Sequence, residues 1–240
     1  MTGRIGRTAS IVAAILFLLA AGSVSRVHAS SQTIVDFNPT WQLNEKWAFD
    51  IEIGHRFGSG DSDYSEWALT PNLEYAVNSR LTLTGGVSFS STDYETGSDD
   101  TSEVGPYVGL RYNYQTRGGA RYVNYFWIEK RIRTDLDTDV TDISKRLRNR
   151  FQVLIPLNTH DLHEDNTWYA ITDLELFFDS FTDVRERNRS LQRLRAGIGW
   201  RKDRHWTYQF IYGIQRSHDD TESSSAWTEG TMRLRAVYTF

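Results

Sequence analysis

The sequence predicts an all-β fold, an antiparallel up-and-down transmembrane β-barrel of ten to twelve strands, and three observations carry that expectation. Apolar and polar residues alternate with period two in segment after segment, as in strands whose two faces meet different surroundings. The polar face carries arginine beside aspartate and glutamate, which a dry sandwich core could not hold, because an unpaired buried charge costs several kcal/mol. Short turns alternate with long polar loops, and Trp and Tyr crowd the segment ends, where interfacial girdles belong.

The amino end reads as an export signal. Arg4 and Arg7 precede an apolar run at residues 11–21, followed by Val27, His28 and Ala29. The run is too short for a spanning helix, which needs about 20 apolar residues, and it suits a signal peptide cleaved after Ala29. Residues 1–29 are therefore expected to be removed, leaving 30–240 as the barrel. Composition agrees: 8 Trp, 12 Tyr and 12 Phe are a heavy aromatic load, yet mean hydropathy is −0.51 and no second long apolar run exists. A helical membrane protein is thereby excluded. With no cysteine, an exported chain must hold together without disulfides. The net charge of −4 argues against nucleic acid as a partner.

Each segment follows from its alternation. Val35, Phe37, Trp41 and Leu43 oppose Asp36, Asn38, Thr40 and Gln42. After a tight turn at 44–46, Trp47, Phe49, Ile51, Ile53 and Phe57 oppose Asp50, Glu52, Gly54 and Arg56. Beyond the loop 58–66, Trp67, Leu69, Leu73, Tyr75 and Val77 oppose Thr70, Asn72 and Glu74. Asn78 and Ser79 turn the chain into Leu81, Leu83, Val87 and Phe89. Past the loop 90–102, Val104, Val108, Leu110, Tyr112 and Tyr114 oppose Tyr107, Gly109, Arg111 and Asn113, ending at the turn 116–119. The segment 121–133 admits two registers: either Phe126, Ile128 and Ile132 face out, placing Glu129, Arg131 and Arg133 inside, or Val123, Tyr125 and Trp127 face out.

The seventh segment is the clearest. Leu147, Asn149, Phe151, Val153, Ile155 and Leu157 share one face, and Arg146, Arg148, Arg150 and Gln152 the other. Trp168, Ala170, Thr172, Leu174, Leu176 and Phe178 then oppose Asp173 and Glu175. Leu194, Ala196, Ile198 and Trp200 oppose Arg193, Arg195, Gly197, Gly199 and Arg201. A turn at Lys202 and Asp203 leads to Trp206, Tyr208, Phe210, Tyr212 and Ile214. In the last segment Met232, Leu234, Ala236, Tyr238 and Phe240 oppose Arg233 and Arg235, and Tyr238 with the terminal Phe240 is the expected C-terminal assembly signal.

Alternation does not say which face is inside. A soluble lipocalin-like barrel would put the apolar rows in; the charged, Gly-, Ser- and Thr-rich face fits a water-filled or salt-bridged lumen. Two irregularities stand out. The connection 158–166 is long where a short turn is due. The count is eleven, whereas a bacterial barrel with both termini in the periplasm needs an even number. Either the first segment lies outside the wall, giving ten, or one strand is missed, giving twelve.

Three stretches carry a resemblance. They are Leu147-Arg148-Asn149-Arg150-Phe151 running to Pro156-Leu157, Asp173-Leu174-Glu175-Leu176-Phe177, and Asn188-Arg189 leading to Leu194-Arg195-Ala196-Gly197-Ile198-Gly199-Trp200. In that order they resemble the Arg-x-Arg strand, the acidic strand and the Asn-Arg before a Gly-x-Gly-aromatic strand of an uncharacterised outer-membrane barrel family, domain of unknown function 2490. The likeness runs from about Trp41 to the end. Leu174 separates Asp173 from Glu175, a departure from the family pattern that leaves both carboxylates on one face. The resemblance implies a barrel in the outer membrane of a Gram-negative bacterium and implies no activity.

Three groups of residues are candidates for function. Arg146, Arg148, Arg150, Arg193, Arg195, Arg233 and Arg235 facing Asp173, Glu175, Glu129 and Glu52 are expected to form a lumenal charge network, either filling a narrow barrel or lining a small porin-like pore for anionic solutes. His218, Asp219, Asp220, Asp61 and Asp63 in rim loops are what an omptin-like protease would use as a general base, and Ser217 beside His218 is a weaker hint of a lipid-modifying enzyme. Asp135, Asp137, Asp139 and Asp142 are spaced like calcium ligands but lack the glycine and closing glutamate of an EF-hand. The expectation is a non-enzymatic barrel with no cofactor and no metal. Its partners would be outer-membrane lipid and lipopolysaccharide, the barrel assembly machinery and possible small solutes.

Overall fold

The computed structural model describes residues 31–59, 63–95, 100–181, 189–219 and 228–240; the expected signal segment 1–29 and residues 61 and 220 lie outside them. The described residues contain eleven strands and no helix. In chain order these are β1 (Ser31–Gln42), β2 (Trp47–Ser59), β3 (Tyr64–Ala76), β4 (Leu81–Tyr94), β5 (Thr101–Gln115), β6 (Arg121–Asp135), β7 (Thr141–Pro156), β8 (Thr167–Phe181), β9 (Arg189–Arg201), β10 (Trp206–Asp219) and β11 (Thr228–Thr239). Neighbours in sequence pair antiparallel, and β1 closes the barrel by pairing parallel with β11, Val35 opposite Leu234 and Asp36 opposite Arg235.

That seam corrects both ways of making the strand number even. The first segment belongs to the wall and no strand is missing; the barrel is mixed rather than wholly antiparallel. The cause is geometric. After ten reversals the eleventh strand runs in the same direction as the first, so closure between them must be parallel, and the ladder runs unbroken from Ser31 opposite Gly230 to Thr40 opposite Thr239. The start of β1 therefore lies at the mouth that carries the long loops, and the end of β11 at the mouth that carries the turns.

Apolar rows point outward all round the barrel. Val108, Ile128, Phe151 and Phe210 are exposed, as is Trp67 at 58%, whereas the most buried side chains include Glu175 and Thr167, both at 0%. The register of β6 follows: Ile128 faces out, while Tyr125 and Trp127 line the interior with Arg150 and Arg148 of β7 opposite them. Around the turn mouth the outward aromatics touch in series. Trp168 stacks on Trp200 at 5.6 Å, Trp200 on Tyr208 at 5.8 Å, Trp206 meets Tyr238 edge-on at 4.7 Å, and Phe240 stacks on Trp41 at 4.8 Å.

Three of the tight turns share one device. Asn44, Asn78 and Asp203 each accept two backbone N–H groups with the side-chain oxygen, at 2.8–3.0 Å, and this Asx arrangement substitutes for a backbone turn. The backbone amide of Trp206, then that of His205, holds the Asp203 carboxyl below its ordinary value. The long connection 157–166 behaves differently: it folds back into the barrel. Leu162 is buried against Tyr169, Ile171 and Ile211, with Leu154 beside them. The neighbouring β5–β6 turn packs on it so closely that a Cβ at Gly119, whose φ is +84°, would lie 2.0 Å from the carbonyl oxygen of His160. The connection is long because it is a plug.

The seam has a direct check. Thr40 and Thr239 are register partners across β1 and β11, and the natural chain has no cysteine. The pair Thr40→Cys with Thr239→Cys should form a disulfide on mild oxidation, whereas Thr40→Cys with Val237→Cys, one step out along the same face, should not, since bridged Cα atoms lie within about 7 Å. A ten-stranded wall that excludes β1 would leave both pairs reduced.

Candidate functional site: ion pairs inside the barrel

The period-two rule carries the three resembling stretches to adjacent strands, β7, β8 and β9, and turns the charges of Arg148, Arg150, Asp173, Glu175 and Arg195 to one side; Asn188 and the side chain of Arg189 lie outside the described residues. On that side Glu175 accepts from Arg148 at 2.8 Å and Arg195 at 3.1 Å, with Arg193 at 3.5 Å. Asp173 takes the Nε of Arg195 at 2.7 Å. Glu175, Asp173 and Arg195 are all buried. Arg195 lies flat across β10 only because residue 213 is glycine; a Cβ there would sit 2.6 Å from its Cγ. Beneath this layer the buried ring of Phe177 meets the guanidinium groups of Arg148, Arg193 and Arg146 at 4.9, 5.1 and 5.6 Å, contacts that favour cations over an aromatic face.

A second group closes the seam. Arg233 and Arg235 of β11 both bond Asp36 of β1, and they reach Glu52 of β2 at 2.6 and 3.0 Å. Toward the loop mouth, Arg146 bonds Asp179 at 2.7 Å and approaches Glu129 at 3.9 Å. Arg131 bonds Glu103, and Arg111 is bidentate to Glu74 at 2.6 and 2.7 Å. Asp36, Asp179, Glu103 and Glu74 were not among the residues the sequence singled out. Asp36 and Glu74 already stood on the polar face, and extending the β8 alternation by two steps beyond Phe177 reaches Asp179.

Arg150 departs from the expected network. It is inside the barrel, yet no carboxylate lies within 4 Å among the described residues; its guanidinium stacks over Tyr125 at 4.1 Å and Trp127 at 5.2 Å, and its Nε is buried without a partner.

The stack forms part of a layer across the waist. Tyr107 and Thr84 donate to Asn72 at 3.0 and 2.5 Å, and Asn72 donates to Asp50 at 2.8 Å. Opposite them Ile171 and Ile211 pack together, and Gln209 donates to Tyr169 at 3.0 Å. On the loop side is a cavity of about 290 Å³ lined by Arg148, Arg150, Arg193 and the seam ions. On the turn side is one of about 690 Å³ lined by Arg111, Arg121, Arg201 and His163. No residue lines both.

In the turn-side cavity Arg121 meets the Nε2 of His163, which the plug carries inward. Burial pushes the His163 imidazole below its ordinary value; Arg121 and Arg201 add to that, and Asp161 opposes it. Asp161 is held below the usual carboxylate value, first by the backbone amide of His163.

Of the other candidates, Asp135 accepts the backbone N–H groups of Asp137 and Thr138 at 3.0 and 2.8 Å, so it caps its own loop. No group of three or more potential metal donors converges among the described residues. Asp61 and Asp220 lie outside the described residues, as do the side chains of Ser217, His218 and Asp219; Asp63 begins the edge of β3, its carbonyl accepting from Glu95 at 3.1 Å.

Fold and site together define a closed mixed β-barrel, greasy outside, with arginines and carboxylates paired within. The chain belongs to the family described as "Protein of unknown function (DUF2490)", whose model matches residues 32–226. No curated protein matches it.

Two measurements check the site. Glu175→Gln leaves Arg148 and Arg193 without a counter-ion and should cost about 3–5 kcal/mol in urea unfolding; a loss under about 1 kcal/mol would mean the lattice does not hold these strands. A histidine with a depressed value stays neutral in the fold, so the unfolded chain takes the proton first. Stability is fully present above pH 6.5, the ordinary histidine value, and falls as the pH drops below it. His163→Gln should flatten that slope, and an unchanged slope would place the proton elsewhere.

Proposed function

We propose that the chain is an integral outer-membrane β-barrel of structural type, exported by its amino-terminal signal, whose charged interior is closed at the waist. The single observation behind this reading is the placement of the two faces. A continuous exposed apolar wall faces out while buried ion pairs face in, the reverse of a soluble ligand-carrying barrel and the arrangement that hydrocarbon requires. Strands of 12 to 16 residues exceed the roughly 9–11 needed to cross a bilayer. The stacked Trp and Tyr of the turn mouth suit an interfacial girdle.

In this orientation the turns and Phe240 face the periplasm, and the long loops and the start of β1 face outward toward lipopolysaccharide. Tyr238 and Phe240 lie on the lipid side, where the assembly machinery would meet the last strand. Small solutes could enter either mouth, but the layer built on Asn72, Tyr125, Arg150 and Ile171 stands between them. The protein acts here as a wall and scaffold, not as an enzyme, and uses no cofactor.

Cell fractionation tests the location: the protein should stay with outer membranes through an alkaline wash and dissolve only in detergent, and a freely soluble periplasmic form would end the reading. Planar bilayers test closure. Wild-type protein should give no sustained conductance, and Tyr125→Ala combined with Arg150→Ala, which removes the stack, should give discrete steps. Steady open steps from the wild type would instead make it a pore.

A further inference from the structure

The two cavities differ in their charge bookkeeping. Of the arginines lining the loop-side cavity, every one except Arg150 has a carboxylate within 4 Å. Arg80, Arg111, Arg121 and Arg201 line the turn-side cavity; among the described residues no carboxylate lines it, and only Arg111 of the four has an ion-pair partner, Glu74. Arg121 faces an imidazole in place of an anion, an arrangement that requires His163 neutral with Nε2 accepting. The Nε of Arg201 is buried with no partner. Guanidinium groups lining an interior cavity without counter-charge there are costly, and Asp161 of the plug is already engaged by Gln115 and by the backbone of His163.

We propose that the turn-side cavity is a binding site for a small, multiply charged soluble anion bearing phosphate or carboxylate groups, with Arg121 and Arg201 as its cationic ligands. Planar guanidinium forks match such oxygens in pairs. The Tyr169 hydroxyl, which accepts from Gln209 and so keeps its own proton to donate, supplies a neutral partner. A volume of about 690 Å³ lies within the range of small-molecule sites. The occupant is soluble because the cavity lies among side chains of the barrel interior and its turn mouth, not on the apolar outer face. The site rests on interior geometry alone and stands whether or not the barrel conducts.

Titration calorimetry of the folded protein in an uncharged detergent at low salt, with pyrophosphate and citrate as probes, tests this. Saturable binding of at least one probe is expected at one site per chain. Arg121→Gln and Arg201→Gln should each weaken it by about tenfold or more, and Arg201→Lys, which keeps the charge and guards against a folding defect, should weaken it less. Arg204→Gln, an exposed turn residue outside the cavity, should leave it unchanged. Binding of neither probe, or equal loss in Arg204→Gln, would overturn the assignment.

Discussion

The constraint on which this barrel depends is that a charge inside a closed wall must find its opposite there. Glu175 satisfies it most fully: with no exposed surface it meets arginines from β7 and β9. Desolvating such a group is tolerable only with several charge-assisted bonds in place. Once Arg148, Arg193 and Arg195 are tied to one carboxylate, three strands share a register. A one-residue slip would turn every charge into the apolar surroundings and every apolar side chain into the interior.

The same demand operates at the seam. A parallel edge between the first and last strands is where an eleven-stranded wall could open, and there the densest inter-strand pairing far apart in sequence is found, Asp36 and Glu52 against Arg233 and Arg235. The parallel backbone ladder closes the edge, and the ions lock its register from within. An odd strand number thus needs no extra strand, only a seam whose side chains specify alignment.

The interior is partitioned rather than filled. On the loop side charges cancel almost one for one, and on the turn side they do not. The plug 157–166 makes that difference, because it carries Leu162 into an apolar cluster and His163 against Arg121 while Asp161 is held by the backbone of His163. A segment that sequence spacing marks only as too long supplies part of the lining of the more cationic compartment.

Alternation alone was enough to sort β7 into two faces, Leu147 on one and Arg148 on the other, and to anticipate Asp173 and Glu175 on one side, because side-chain alternation in a strand is a local property of period two; the charges, not the alternation, said which face is inside. The Asx turns at Asn44, Asn78 and Asp203 were legible for the same reason: the bonds span two or three residues. Tertiary structure decided what depends on residues distant in the chain. It set the parallel closure of β1 on β11, the register of β6, whose two faces were both aromatic, and the stacking of Arg150 on Tyr125 where an ion pair was expected. It also turned the long 157–166 connection inward. Each of these is a choice among partners brought together only when the wall closes, and no local pattern encodes which partner a side chain will meet across the interior.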